Sequence, residues 1–363
     1  MVASKIQHID QWFDGPTESP LLIAGPCSVE SPEQILATAQ ALKEHTPISL
    51  LRGGVWKPRT KPGSFEGVGL ESMQWLIDAG RAIGTPTTTE VANTEHVEAA
   101  LKAGIDVLWI GARTTVNPFY VQEIAEALKG VKIPILVKNP IHAEIGLWAG
   151  AIERFKNVGI ERVAAVHRGF FSSAKGVYRN EPHWHHSFGL RALMPDVKII
   201  VDPSHIAGKR LLVPEVCQVA MDLGMDGLMV ESHITPEIAL SDAAQQMNPE
   251  KLGEVIKNLV IHPKKLDHGA SEALKSLRDS LDELDDNLVE IMRQRFAVAK
   301  DIAIIKEQEG TSIFQMERWL KLVKERTEKG DGEGLTPEFM HDLFATIHKY
   351  SVEYQTRLTK KES

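Results

Sequence analysis

Two neighbouring stretches decide how this sequence is interpreted: residues 198–205 (KIIVDPSH) and residues 227–233 (GLMVESH). In both, a short run of aliphatic residues stops at acidic and imidazole side chains, which is typical of a buried strand that ends at a polar site. The side chains at these ends and in the following loop are Asp202, His205, Glu231, His233 and Asp242. Imidazole and carboxylate groups are ligand types that divalent metals take in proteins. The two stretches therefore predict strands that carry candidate metal ligands.

The same alternation of a short apolar run with a helix-like stretch extends outward from these two stretches and occurs eight times. The predicted strands are residues 21–25, 48–53, 85–91, 107–111, 135–138, 162–166, 198–201 and 227–230. The predicted helices are residues 32–44, 70–83, 94–102, 118–128, 144–157, 186–193, 214–223 and 249–259. Eight such repeats over about 240 residues predict an α/β fold, the closed (β/α)₈ TIM barrel. An open doubly wound sheet is the alternative, but its Gly-x-Gly-x-x-Gly motif is missing from the first strand-to-helix turn.

Composition limits the class of protein. The 363 residues are 43% apolar and 25% charged, as in a globular protein with a sizeable core. A net charge of -8 argues against nucleic acid as a partner, and no apolar run reaches the length of a membrane span. The first residues lack the apolar segment of a signal peptide, and two distant cysteines suggest no disulfide framework. We therefore expect a cytoplasmic protein with no membrane or nucleic-acid partner.

Cationic residues recur at or just after the predicted strand ends, and in a barrel the C-terminal ends of the strands form the active site. They are Arg52, Lys57, Arg59, Arg113, Lys138 and Arg168. Six cations at one barrel mouth would repel each other unless they were paired, so the site is expected to bind anions that carry several charges. Arginine forks suit phosphate and carboxylate groups. The sequence thus predicts two phosphorylated substrates.

Six spaced motifs resemble 3-deoxy-D-arabino-heptulosonate 7-phosphate (DAHP) synthase, and in particular the shorter, barrel-only branch of that family. They are Gly25-Pro26-Cys27-Ser28, Leu51-Arg52-Gly53, Lys57-Pro58-Arg59-Thr60, Gly111-Ala112-Arg113, Asp202-Pro203-Ser204-His205 and Glu231-Ser232-His233. The resemblance covers residues 21–263 and implies a barrel that condenses phosphoenolpyruvate with erythrose 4-phosphate.

The resemblance also implies roles for individual residues. The expected ligands of one divalent metal are Cys27, His205, Glu231 and Asp242. The expected phosphoenolpyruvate contacts are Arg52, Arg113, Lys138 and Arg168, with Glu90 at the end of the third strand also in the substrate site. The expected erythrose 4-phosphate contacts are Lys57, Pro58, Arg59 and Thr60. A thiolate, an imidazole and two carboxylates could hold manganese, iron, cobalt or zinc, and Lys57 is the expected acid for the new alkoxide.

Several residues of the barrel have alternative interpretations. Lys138 could form a Schiff base, and Asp202 could only cap a loop. The histidines of Pro182-His183-Trp184-His185-His186 could form a second metal site, although a solvated surface is expected. The related synthase that uses arabinose 5-phosphate is the alternative for the whole barrel.

The last quarter of the chain has a different composition. No Pro or Gly occurs between Gly269 and Gly310, and apolar residues recur at a spacing of three to four over this stretch. The pattern predicts one long amphipathic helix whose apolar stripe pairs with a second copy, making a homodimer. We therefore divide the chain into an N-terminal extension (1–20), the barrel (21–263), a linker (264–270) and an all-helical domain (271–363).

Polar residues of this helical domain are similar in order to those of the all-helical class of chorismate mutase. They are Arg278, Arg295, Lys306, Arg318, Ser351 and Gln355. The resemblance implies that Arg295, Lys306 and Gln355 act in converting chorismate to prephenate, with Arg278 serving the partner subunit. Trp319 stands where the family usually has Glu, and Gln315 stands where it usually has Asp. The alternative is a dimerising allosteric sensor of chorismate or prephenate.

Overall fold

The computed structural model describes residues 13, 20–58, 63–173, 176–261, 272–330 and 335–359. Contacts divide the chain into two compact units, Met1–Lys264 and Lys265–Ser363. Of the N-terminal extension, Phe13 packs against the core inside the first unit. The expected linker, residues 264–270, lies outside the described residues.

The first unit is a closed parallel barrel in which the strands follow one another in chain order. The strands are β1 (Leu21–Gly25), β2 (Leu50–Arg52), β3 (Thr87–Val91), β4 (Val107–Ile110), β5 (Ile135–Lys138), β6 (Val163–His167), β7 (Ile199–Val201) and β8 (Gly227–Glu231). Strand β8 pairs with β1, placing Glu231 opposite Gly25 and closing the ring. The predicted TIM barrel is confirmed.

Helices connect successive strands. Within the described part of the barrel unit they are α1 (Pro32–His45), α2 (Leu70–Ile83), α3 (Thr94–Ala103), α4 (Ala112–Thr115), α5 (Pro118–Ala127), α6 (Ile145–Asn157), α7 (His185–Leu193), α8 (Pro203–Ala207), α9 (Val213–Asp222) and α10 (Pro249–Asn258). Several begin where the sequence provides a side-chain cap: Ser31 accepts from the backbone of Gln34, and Asn93 from that of His96. The short helices α4 and α8 were not predicted.

Alternation along the strands builds two core layers. Side chains such as Ile23, Trp109 and Met229 fill the inside of the barrel, while their neighbours pack outward against the helices. The inward series continues past the apolar residues at the carboxyl ends of the strands. There the next inward positions are Arg52 and Glu231, both buried. Strand periodicity thus delivers charged groups to the mouth of the barrel.

The second unit is all-helical in its described residues and consists of α11 (Glu272–Gln308), α12 (Met316–Gly330) and α13 (Pro337–Thr359). Helix α13 packs against both α11 and α12. Helix α11 has 37 residues and is therefore about 55 Å long, as the unbroken sequence pattern predicted. None of the helices in the described parts of the chain combines the length and hydropathy needed to span a bilayer.

Candidate active sites in the barrel and in the helical unit

Three potential metal ligands meet at the mouth of the barrel. Cys27, Glu231 and Asp242 each offer a ligand atom, and these atoms lie within 4.8 Å of one another. The Cys27 Sγ is 3.6 Å from Asp242 Oδ2. Cys27 and Glu231 are fully buried, whereas Asp242 is half-buried. A thiol and two carboxylates at this separation can converge on a single divalent ion.

Local backbone geometry fixes Cys27 and Asp242. Gly25 has a φ of +147°, and a Cβ at this position would lie 2.0 Å from the backbone oxygen of Arg52, so only glycine fits before the Pro-Cys turn. The Cys27 backbone N–H then donates to Gln246 Oε1 at 2.9 Å. Asp242 has a φ of 46°, a left-handed conformation that Asp tolerates better than most residues.

Glu231 presents one unsatisfied oxygen to this cluster. Its Oε2 accepts a hydrogen bond from Gln245 Nε2 at 2.7 Å, but the buried Oε1 accepts none. Oε1 lies 3.3 Å from Arg52 Nη2 and 3.9 Å from His205 Nε2. Burial alone would raise the pKa of Glu231, but His205 and Arg52 lower it, so the carboxylate is ionised at neutral pH. A buried, charged oxygen without a hydrogen bond fits a metal ligand.

His205 lies at the edge of the cluster. His205 is not one of the three residues whose ligand atoms lie within 4.8 Å of one another, and its Nε2 lies 3.9 Å from Glu231 Oε1. Its Nδ1 lies 2.8 Å from Asp202 Oδ2. Burial lowers the pKa of His205 despite the nearby Asp202, so the imidazole is neutral at pH 7. A neutral imidazole oriented by a carboxylate is the form that binds metals.

Asp202 makes several contacts at once. Oδ1 accepts from the backbone N–H of His205 at 3.0 Å and caps helix α8. Oδ2 accepts from Lys138 Nζ at 2.7 Å. Burial would raise the pKa of Asp202, but His205 and Lys138 hold it well below its usual value. Asp202 is therefore both a loop cap and the carboxylate that orients His205, and Lys138 is held in a buried ion pair.

The electrostatics of Cys27 depend on its neighbours. Burial, with smaller effects from Glu231 and Asp242, raises the pKa of the Cys27 thiol to about 12. In this environment the thiol is protonated at neutral pH, and a bound cation would favour the thiolate.

Burial would lower the pKa of Lys57, but the acidic groups of Cys27 and Glu231 raise it. Lys57 is therefore an ammonium at neutral pH.

Asp242, one of the three candidate ligands, lines a cavity of about 290 Å³ that has several cationic side chains in its wall. Its lining includes the predicted site residues Lys57, Pro58, Glu90, Arg113, Lys138, Arg168, His205 and Asp242. Burial lowers the pKa of Arg168 to about 10, so the group still carries its charge at neutral pH. Arg52 lies buried, with its guanidinium 4.8 Å from the centre of the Trp109 ring. Arg59 and Thr60 lie outside the described residues.

Sequence reasoning missed two polar residues that line this cavity, Arg179 and Asn180. Arg179 Nη1 lies 3.3 Å from Asp242 Oδ1 and donates to Gln245 Oε1 at 2.6 Å. Asn180 accepts from Arg168 Nη1 at 2.8 Å. Both lie in the long loop after β6, far along the chain from the strand end. The strand-end pattern therefore gave no signal for either residue.

The three histidines between Pro182 and Ser187 do not form a second metal group among the described residues. His183 and His185 are exposed, whereas His186 is half-buried. The rings of His183 and His186 lie 6.1 Å and 4.7 Å from that of Phe170. This segment packs as a surface of aromatic and imidazole rings.

The helical unit contains a cavity of about 570 Å³ between its three helices. Its lining includes the predicted residues Arg295, Lys306, Arg318, Ser351 and Gln355. Arg295 Nη1 donates to Ser351 Oγ at 2.5 Å, and Lys306 Nζ donates to the backbone oxygen of Ile313 at 2.6 Å. Arg278 is not part of this lining. Five predicted residues, three of them cationic, thus surround one cavity that could hold a dicarboxylate.

The residues that depart from the mutase pattern also line this cavity. Gln315 and Trp319 belong to its wall together with His348, which sequence reasoning missed. The rings of Trp319 and His348 stack with centroids 4.4 Å apart. The large side chain of Trp319 is therefore accommodated against α13.

Comparisons with known proteins agree with this architecture. Residues 3–265 match the model of the DAHP synthetase I family, and residues 277–356 match that of chorismate mutase type II. A phospho-2-dehydro-3-deoxyheptonate aldolase of Thermotoga maritima is 32% identical over 249 residues, covering 66% of this chain and 68% of the relative. A 2-dehydro-3-deoxyphosphooctonate aldolase of Bordetella petrii is 27% identical over 277 residues, covering 68% of this chain and 92% of the relative.

Solved structures are similar as well. The crystal structure of the Thermotoga maritima DAHP synthase superposes with a TM-score of 0.60 at 30% sequence identity, covering 72% of this chain and 70% of that one. A truncated form of that synthase superposes with a TM-score of 0.57 at 27% identity. The chain belongs to the DAHP synthetase I family, and a type II chorismate mutase domain follows its barrel.

Proposed function

We propose that this protein is a bifunctional enzyme of aromatic biosynthesis. Its barrel condenses phosphoenolpyruvate with erythrose 4-phosphate to give DAHP and phosphate, and its helical domain converts chorismate to prephenate. The observation that carries the proposal is the cluster of Cys27, Glu231 and Asp242, because Asp242 also lines a cavity together with several cations. Both cysteines are free and buried, which supports the reducing cytoplasm as its location.

The residues fit a divalent metal. Three ligand atoms lie within 4.8 Å of one another, and one of the carboxylates has a buried oxygen without a hydrogen bond. We assign Cys27, His205, Glu231 and Asp242 as the residues that would hold the ion, with manganese, iron, cobalt and zinc as candidates. When bound, such an ion supplies Lewis acidity toward the aldehyde oxygen of erythrose 4-phosphate.

The cations of the cavity bind and orient phosphoenolpyruvate. We assign Arg113, Lys138 and Arg168, which line the cavity, together with the buried Arg52, to its carboxylate and phosphate groups. Fixed positive charges in a partly dehydrated site stabilise the charge that develops as the methylene carbon attacks the aldehyde. Water then adds at the enol carbon and phosphate leaves.

Lys57 is the proposed acid of this reaction. Its ammonium is charged at neutral pH and lines the cavity, so it can protonate the alkoxide that forms from the aldehyde oxygen. A Cβ at Gly54 would lie 2.8 Å from Lys57 Nζ, so glycine at this position leaves space for the ammonium. Lys57, Pro58, Arg59 and Thr60 form the proposed site for the sugar phosphate.

In the helical domain the cations act on chorismate. Arg295 and Arg318 are assigned to its carboxylates, and Lys306 and Gln355 to the ether oxygen, because all four line one cavity. The rearrangement needs no covalent catalyst, only a compact conformer and positive charge beside the breaking bond. Arg278 is proposed to reach the cavity of a second copy in a homodimer.

Assays of the purified full-length chain test this proposal. We expect DAHP formation with erythrose 4-phosphate to exceed turnover of arabinose 5-phosphate, and we expect chorismate to be converted to prephenate. Faster turnover of arabinose 5-phosphate would contradict the choice of sugar.

A regulatory role for the helical domain is a second candidate function, favoured by Trp319 and Gln315 in its cavity. We propose that prephenate bound beside Arg295 slows the barrel. Prephenate added to the DAHP assay should then lower its rate, and this inhibition should vanish in Arg295→Ala. DAHP synthesis without any chorismate turnover would favour a purely sensory domain, whereas unchanged inhibition in Arg295→Ala would exclude this route of control.

A further inference from the structure

His348 is fixed in the wall of the mutase cavity by two aromatic side chains. The Trp319 ring stacks on the imidazole with centroids 4.4 Å apart and an angle of 21° between the planes. The Phe314 ring lies 5.7 Å away, inclined by 59°. Because both neighbours are aromatic rings, they limit the rotation of the imidazole without satisfying its ring nitrogens by conventional hydrogen bonds.

One nitrogen of this imidazole has no partner. His348 Nε2 is buried and makes no hydrogen bond within the described residues. A buried polar atom without a partner costs stability, and such atoms are typically satisfied by water or by a ligand. Since His348 lines the same cavity as Arg295 and Lys306, a ligand in that cavity is the partner that the site offers.

The charges around His348 indicate which part of the ligand it contacts. The cationic groups of this wall are Arg295, Lys306, Arg318 and Arg326. Burial lowers the pKa of His348, and Arg295 and Lys306 lower it further, so its imidazole is neutral at pH 7. Carboxylates of the ligand bind best to the cations. A neutral imidazole, which offers one donor and one acceptor, suits a hydroxyl group.

Chorismate carries one such group, the hydroxyl on its ring, in addition to its two carboxylates. Trp319, which also lines the cavity, cannot accept a hydrogen bond from this hydroxyl because an indole only donates. We propose that His348 contacts the substrate of the mutase and that its imidazole, held by Trp319, hydrogen-bonds the ring hydroxyl of chorismate. This inference rests on the proposed mutase activity of the helical domain.

The test measures the mutase activity of two His348 variants of the full-length protein with two substrates. His348→Leu removes the hydrogen bond, and His348→Gln retains a donor and an acceptor. His341→Leu is the matched control, since His341 is an exposed histidine of the same helix. The substrates are chorismate and 4-deoxychorismate, which lacks the ring hydroxyl. Circular dichroism checks that each variant keeps its helical content.

We expect His348→Leu to lower kcat/KM for chorismate by about tenfold. The same variant should change kcat/KM for 4-deoxychorismate by less than about twofold, because the lost partner is absent from that substrate. His348→Gln should recover most of the activity toward chorismate, and His341→Leu should match the unaltered chain.

Equal losses on both substrates would overturn the proposal, because they would mean that His348 only supports the packing of Trp319. No loss on either substrate would overturn it as well. Calorimetry with the oxabicyclic dicarboxylate analogue of the transition state, with and without its hydroxyl, gives a readout that needs no turnover. If the unaltered chain has no mutase activity, the proposed function fails, and a hydroxyl-dependent affinity lost in His348→Leu would still support the contact.

Discussion

At the level of single residues, several side chains at the mouth of the barrel contact the candidate metal ligands and orient them. Asp202 holds the Nδ1 side of His205, and Gln245 donates to Glu231. Arg179 contacts both Asp242 and Gln245. Such supporting contacts orient ligands and usually matter for metal affinity. The geometry of the four candidate ligands thus depends on residues outside the set.

Replacing Arg179 should therefore weaken metal binding. We expect Arg179→Leu to lower metal affinity by about 10- to 100-fold, because Asp242 and Gln245 lose a shared donor. Arg179→Lys should fall between this variant and the unaltered chain, since it keeps the charge but not the fork. Arg81→Leu, at an exposed position on α2, is the control. Competition with a fluorescent chelator measures the affinity, and equal affinities for Arg179→Leu and Arg81→Leu would refute the supporting role.

At the level of elements, the barrel was predictable because its strands are buried on both faces and read as continuous apolar runs. The strand β1 has the bounds predicted for it, Leu21–Gly25. The strand predicted at residues 48–53 is longer than the observed β2, Leu50–Arg52. The short helix Pro203–Ala207 was missed because one turn has no measurable period.

The site was predictable only where a functional side chain ends a strand. Arg52 and Glu231 continue the inward alternation of their strands, so the pattern points to them. Arg179 and His348 have no such signal, because a loop and a distant helix bring them to their cavities. The two roles of Asp202, as helix cap and as the carboxylate that orients His205, could not be predicted from the sequence, because both roles have the same sequence pattern.

Helix α11 leads to a prediction about assembly. Its apolar stripe remains exposed within one chain, and Leu284 is 63% exposed. We propose that this stripe pairs with a second copy. Leu284→Glu should convert a dimer to a monomer, because it places two charges in an apolar seam. Ser276→Glu adds the same charge on another face of the helix and should leave the dimer intact. Light scattering after size exclusion measures the mass, and a dimeric Leu284→Glu chain would argue against this interface.

At the level of the whole molecule, two units each enclose a cavity lined by cations, suited to anionic substrates. The barrel also contains a cluster of candidate metal ligands, whereas the described residues of the helical unit contain no such cluster. This difference predicts that metal removal separates the two activities. DAHP synthesis should depend on the ion, and chorismate turnover should not, since its cavity contains no predicted ligand.

The most direct test of the account is bound metal measured together with DAHP synthesis in three forms of the full-length chain: unaltered, Cys27→Ala and Cys217→Ala. Cys217 is the other buried cysteine and lies in α9. After loading with Mn²⁺ and desalting, the unaltered chain and Cys217→Ala should hold one ion each and make DAHP. Cys27→Ala should lose the ion and at least about 100-fold in rate. A Cys27→Ala chain that keeps both its metal and its rate would contradict the central claim.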